Sequence, residues 1–131
     1  MEAKGMKVLV CGSRDWADKK AIERELKKLP PGSTIIHGAC PTGADALADA
    51  IAMKLGLKIK RYPADWDDPT LPNKKAAGPI RNAKMIREEH KPGDPIAMGL
   101  AFTEDLTRSR GAKDCVDRAR RVGIKVDVHA Q

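Results

Sequence analysis

Four short segments of the sequence combine small residues with side chains that bind anions. In Gly12-Ser13-Arg14-Asp15-Trp16 a glycine lets main-chain amides approach a ligand, while a serine hydroxyl and a guanidinium supply donors. In His37-Gly38-Ala39-Cys40-Pro41-Thr42-Gly43-Ala44-Asp45 small residues run into a helical pattern and leave its N-terminal amides open to an anion. Ala77-Gly78-Pro79-Ile80-Arg81-Asn82 opens another helix with a cation and an amide on its first turn. Thr107-Arg108-Ser109-Arg110-Gly111-Ala112 is a polar glycine loop before the last helix. One glycine at a helix start is ordinary turn chemistry; four such loops in equivalent positions point to a phosphate-binding site. The spacing GxxxxGK[ST] of a P-loop and the dinucleotide fingerprint GxGxxG are both absent, so P-loop phosphoryl transfer is unsupported.

Several residues carry two readings. Arg81, accompanied by Gly78 and Asn82, reads as a phosphate ligand or as an exposed first-turn arginine, and Arg81→Ala is expected to abolish stabilisation by ligand with the fold intact. Asp45 either accepts bonds from a ribose or base or complements the helix dipole. Asp65 and Trp66 hold a base or pin the loop around them, and Trp16 is divided in the same way. His37 fits a hydrogen-bonded structural histidine better than a general base. Cys40 has no neighbouring histidine for nucleophilic work, and Cys11 and Cys115 fit core positions.

The elements that must position these loops are legible from apolar periodicity. Met6–Cys11 is a nearly continuous apolar run, as a strand buried on both faces requires. A helix follows from Asp18, a suitable N-cap, through Ala21, Ile22, Leu26 and Leu29 to the stop at Pro30-Pro31-Gly32. Ser33–His37 is a second strand, and Ala44, Leu47, Ala48, Ile51, Ala52 and Leu55 form one helical stripe ending at Gly56. Lys58–Tyr62 is a weaker strand, followed by a long proline-bearing stretch to Ala77, a length typical of functional loops. Gly78–Glu89 is a helix entered through Pro79, and Pro95–Phe102 a fourth strand. Ser109 caps a helix carrying Ala112, Cys115, Val116, Ala119 and Val122, and Ile124–Val128 closes the chain. Five strands alternating with helices predict an α/β, Rossmann-like doubly wound sheet, mainly parallel, with helices on both faces. The order 3-2-1-4-5 would place the loops after strands 1 and 4 beside a switch point, where such folds bind ligands.

The chain has 131 residues and a net charge of +7, which fits a single domain over residues 1–131 and favours anionic partners. The basic excess is spread evenly, without an arm or tail. Only 3% of residues are aromatic, too few for the stacking platforms of a single-strand binder, so nucleic acid ranks below a small molecule. Three scattered cysteines argue against disulfides and a zinc site, and no apolar run approaches a signal or membrane span. A cytoplasmic protein without metal, cofactor or membrane partner is expected.

Taken together, Val-Cys-Gly-Ser-Arg-Asp-Trp (10–16), His-Gly-Ala-Cys-Pro-Thr-Gly-Ala-Asp (37–45), Pro-Ala-Asp-Trp (63–66), Ala-Gly-Pro-Ile-Arg-Asn (77–82) and Ser-Arg-Gly-Ala-Lys-Asp (109–114) resemble the YspA-like branch of the SLOG superfamily. The resemblance implies a Rossmann-like domain binding a nucleotide or nucleotide-derived signal, as a sensor or sequestering protein. Its relatives include the LOG phosphoribohydrolases, which cleave the N-glycosidic bond of nucleoside monophosphates, and DNA-binding DprA; homo-oligomers are common among them. In the leading reading, a binding domain, the amides of Gly12, Gly43 and Gly111 with Ser13, Arg14, Arg81 and Ser109 would hold phosphate, and Asp45, Asp65 and Trp66 would face sugar or base. Gly38, Thr42, Gly78, Asn82 and Arg110 lie in the same loops. LOG enzymes carry PGGxGTxxE after strand 4, whereas here Ser109-Arg110-Gly111-Ala112-Lys113-Asp114-Cys115 lacks the double glycine and has Cys115 in place of the glutamate. Without that carboxylate, hydrolysis would have to use Asp45 or Asp114.

Overall fold

The computed structural model describes residues 5–130. Its five strands are β1 (Lys7–Gly12), β2 (Thr34–His37), β3 (Lys58–Arg61), β4 (Ile96–Phe102) and β5 (Val126–His129). They pair in the order β3-β2-β1-β4-β5, every pair parallel. The expected topology is therefore present, fully parallel rather than mainly so. Four helices, α1 (Lys19–Leu26), α2 (Gly43–Lys54), α3 (Ala77–Glu89) and α4 (Arg110–Arg121), connect them. The pair α1 and α2 lies on one face, and α3 and α4 on the other.

Strand alternation explains why the central strands are apolar throughout. Val8, Val10, Ile35, Leu100 and Phe102 enter the core beneath α1 and α2. Leu9, Cys11, Ile36 and Ala101 enter the core beneath α3 and α4. Each fully buried aliphatic side chain contributes about 1.5–3 kcal/mol, so the central strands hold the two layers together. The edge strand β3 instead shows Lys58, Lys60 and Arg61 to solvent, charges that oppose pairing with another sheet.

Element ends depart from expectation for local reasons. Asp18 caps α1 by accepting from the Ala21 amide at 3.2 Å, but α1 ends at Leu26, short of Leu29. Pro30 disfavours helical geometry at Leu29, and the Leu29 amide closes a tighter turn on the Leu26 carbonyl. Strand β5 starts at Val126 rather than Ile124, because the Ile124 amide bonds the Ala119 carbonyl to finish α4. Gly123, at φ 89°, supplies the left-handed residue such a helix end uses. A single 3-10 turn, Lys74–Ala76, leads the long loop into α3. No helix among the described residues is long and apolar enough to cross a membrane.

Candidate functional site

The carboxyl ends of the strands carry all four predicted loops, and a continuous series of contacts links them. The Ser13 amide donates to the Phe102 carbonyl at 3.0 Å, joining the β1 and β4 loops. The Thr42 hydroxyl donates to the Arg14 carbonyl at 2.9 Å, joining the β1 and β2 loops. The Arg14 guanidinium lies over the Trp66 ring, 5.3 Å from its centroid. A Cβ on Gly78 would sit 3.5 Å from the far edge of that indole. One helical turn on, Arg81 donates through Nη1 to the Gly38 and Tyr62 carbonyls and through Nε to Asn82 Oδ1. Asn82 completes the series, its amide nitrogen donating to the Gly111 carbonyl at 3.3 Å and Asp114 Oδ2 at 3.0 Å.

Within this rim the loops after β1 and β2 are filled by the protein itself. The Ser13 carbonyl accepts from the Ala44 amide at 3.2 Å, occupying a donor of the α2 N-terminus. A methyl on Gly12 would overlap the Phe102 carbonyl and the Ala44 side chain, and one on Gly43 would overlap the Ser13 and Arg14 backbone. Both glycines therefore permit close packing of chain on chain. Gly43, at φ 72°, also needs the left-handed conformation. Gly38 has a related role, since a Cβ there would strike the Arg81 guanidinium. Trp16 is a correction: it is buried against Phe102, with ring centroids 5.8 Å apart. Its indole N–H donates to the Asp18 carbonyl at 2.9 Å. A large apolar ring next to Phe102 gains more from the core than from the rim.

Two carboxylates one turn apart on α2 behave in opposite ways. Asp45 is buried, and that burial pushes its carboxyl above the ordinary range, against the pull of His37, the Cys40 amide and Arg81. It accepts from the Cys40 amide at 3.3 Å, which holds the β2 loop closed. Asp49 is held below the ordinary range, first by its bond to Arg61 and then by His37. His37 is buried, accepts at Nδ1 from the Ala39 amide at 2.9 Å and meets Asp49 Oδ2 through Nε2 at 2.7 Å. Those partners assign its proton to Nε2 and make it the structural histidine that the strand end suggested. Ala39, a non-glycine residue at φ 57°, is kept in a strained conformation by that bond. The buttress of Asp49 and Arg61 has no signature in the sequence. It follows from the β2–β3 register, which sets His37 beside Arg61.

The remaining rim residues face outward. Arg14 and Asp15 are exposed, Trp66 is 40% exposed, and Arg110 and Gly111 lie open at the start of α4. Nothing approaches the Cβ position of Gly111 within 4 Å. Ser109 stands half-buried at the N-cap without a side-chain capping bond. The guanidinium of Arg14 has no hydrogen-bond partner among the described residues, and the same holds for Nη2 of Arg81. Asp65 Oδ1 accepts from the Asp67 amide at 3.2 Å, an Asx turn that orients Trp66.

Two expectations change with these contacts. Arg81 ties α3 to the ends of β2 and β3, so Arg81→Ala removes internal bonds as well as a ligand contact and the expected intact fold is withdrawn. Asp114 accepts from Asn82 and from Arg118 Nε at 2.9 Å, a pairing that fixes α3 against α4. Cys115, where LOG enzymes have glutamate, is buried in the core beside Cys11. No group of histidine, cysteine, aspartate or glutamate suited to a metal ion occurs among the described residues.

Residues 6–68 match the model of the YspA, cpYpsA-related SLOG family. This segment contains the β1 and β2 loops, α2 and the Asp65-Trp66 turn. No curated protein matches the chain as a relative.

Proposed function

We propose, from the match of residues 6–68 to the YspA, cpYpsA-related SLOG family, that the chain binds a phosphate-bearing nucleotide or nucleotide-derived signal at the carboxyl edge of its sheet. It acts as a sensor or sequestering protein. What supports this reading is that loops at the carboxyl ends of the strands carry donors without an internal partner among the described residues: the Arg14 guanidinium, Arg81 Nη2 and the Ser109 hydroxyl. Phosphate oxygens suit such a set because guanidinium forks and helix amides both bind them with directed, charge-assisted bonds. Trp66 and Asp65 face the sugar and base.

Binding without turnover is favoured by what surrounds the carboxylates. Asp114 is paired with Asn82 and Arg118, and Asp45 closes its own loop. Neither is poised beside a free hydrogen-bonding site for acid–base work.

A thermal-shift screen of nucleoside mono- and diphosphates, cyclic nucleotides and inorganic phosphate tests the proposal, with chromatography of the mixtures. A true ligand should stabilise the protein by about 2.7 kcal/mol at a hundredfold excess over its Kd, and Arg14→Ala should remove most of that gain. Absence of stabilisation by every probe refutes nucleotide binding. Release of free base from a nucleoside monophosphate assigns the site to N-glycoside hydrolysis instead.

A further inference from the structure

We propose that Arg14 and Trp66 form a latch opened by exchange: a nucleobase takes the place of the guanidinium on the indole, and Arg14 turns to the phosphate. The inference rests on the rim being a nucleotide site and adds which part of the ligand the rim selects. Arg14 follows β1 and Trp66 follows β3, with β2 lying between those strands. Their contact, 5.3 Å from guanidinium carbon to ring centroid, therefore bridges the loops on either side of the end of β2.

Each partner is built for the exchange. The backbone of Arg14 is tethered by the Thr42 hydroxyl on its carbonyl, while its guanidinium has no hydrogen bond or ion pair among the described residues. Its side chain can swing without moving the loop. Trp66 is 40% exposed, follows the turn at Asp65 and lies next to Gly78, where an added Cβ would come within 3.5 Å of the indole. The ring is an exposed aromatic surface with a guanidinium over it. A guanidinium over an exposed indole is weakly held, whereas a base stacked on the same face excludes more water and brings its phosphate to the displaced cation. Ligands with an aromatic base are therefore selected over base-free sugar phosphates.

Titration of the full chain with AMP, GMP, CMP, UMP and ribose 5-phosphate tests the latch, in the wild type, Trp66→Ala and Trp66→Phe. Binding is read by calorimetry and by tryptophan emission. Trp16 is buried and serves as a constant background, and its emission in Trp66→Phe checks that the fold is kept. The expected result is at least one nucleotide bound about tenfold or more tighter than ribose 5-phosphate, with an emission change that disappears in Trp66→Phe. In Trp66→Ala that preference should collapse, with nucleotides binding no tighter than ribose 5-phosphate. Equal binding of nucleotides and ribose 5-phosphate, unaltered in Trp66→Ala, overturns the latch and leaves the phosphate site standing. Failure of every probe to bind overturns both.

Discussion

The two halves of the rim use the same residue types for opposite purposes. Around the loops after β1 and β2, glycines and donors meet the protein's own chain: Gly12 and Gly43 against backbone, the Ala44 amide on Ser13, the Cys40 amide on Asp45. Around Arg14, Trp66 and the start of α4, the donors have no internal acceptor and Gly111 borders open space. A glycine-rich loop before a helix is thus not by itself an anion site. What separates the two cases is whether another backbone already fills the position a phosphate would take. The closed half gives the open half a rigid base, and rigid support keeps ligand groups in productive geometry.

Substitutions should divide along the same line. The largest effect is expected from Gly43→Ala, which combines a left-handed backbone with overlap on the Ser13 and Arg14 backbone. A loss of about 3 kcal/mol or more in urea unfolding is expected. A change under about 0.5 kcal/mol would mean that the β1 and β2 loops do not pack as described.

Next comes Asp49→Ala, which leaves the buried Nε2–H of His37 unpaired and should cost about 2 kcal/mol. Its pH signature has a defined sign. The Asp49 carboxyl is lower in the folded state, so its contribution is complete above the unfolded value of about 4 and is lost as pH falls through the depressed folded value. Asp45 is raised by burial and runs the other way, its protonation favouring the folded state as pH falls through its raised value toward the unfolded one. Acid unfolding of Asp45→Asn should therefore be steeper than wild type, and that of Asp49→Ala shallower. Parallel curves for all three would contradict the opposed shifts of these two residues.

The smallest change in stability is expected on the open side. Gly111→Ala replaces an exposed glycine in the first turn of a helix and should move stability by no more than about 1 kcal/mol, in the stabilising direction. Because the added methyl stands where amides would approach a phosphate, nucleotide affinity should fall several-fold. Unchanged affinity would shift the phosphate seat from α4 toward Arg81.

Much of the architecture was legible along the chain. The apolar runs around Val8, Ile35 and Leu100 demanded strands buried on both faces, and the stripe from Ala44 to Leu55 demanded a helix between two of them. That alternation leaves little but a doubly wound sheet. The loops carrying Arg14, Arg81 and Ser109 could be placed at one edge because every βα connection of such a sheet emerges there. Strand ends were less visible, since Pro30 and Gly123 act through bonds that depend on how the neighbouring helix terminates.

Which of those loop residues face a ligand was decided only in three dimensions. Residue type marks Gly12, Gly43 and Gly111 alike as permissive, and Trp16 and Trp66 alike as stacking rings. The distinction depends on what lies opposite each one: Phe102 and Ala44 against Gly12, solvent against Gly111, the core around Trp16, a lone guanidinium over Trp66. The same holds for Asp45 and Asp49, whose opposite ionisation comes from burial in one case and from the β2–β3 register in the other. Local propensity acts between neighbours in sequence and so determines the elements. The occupancy of a donor depends on contacts between distant segments, and those exist only once the sheet has formed.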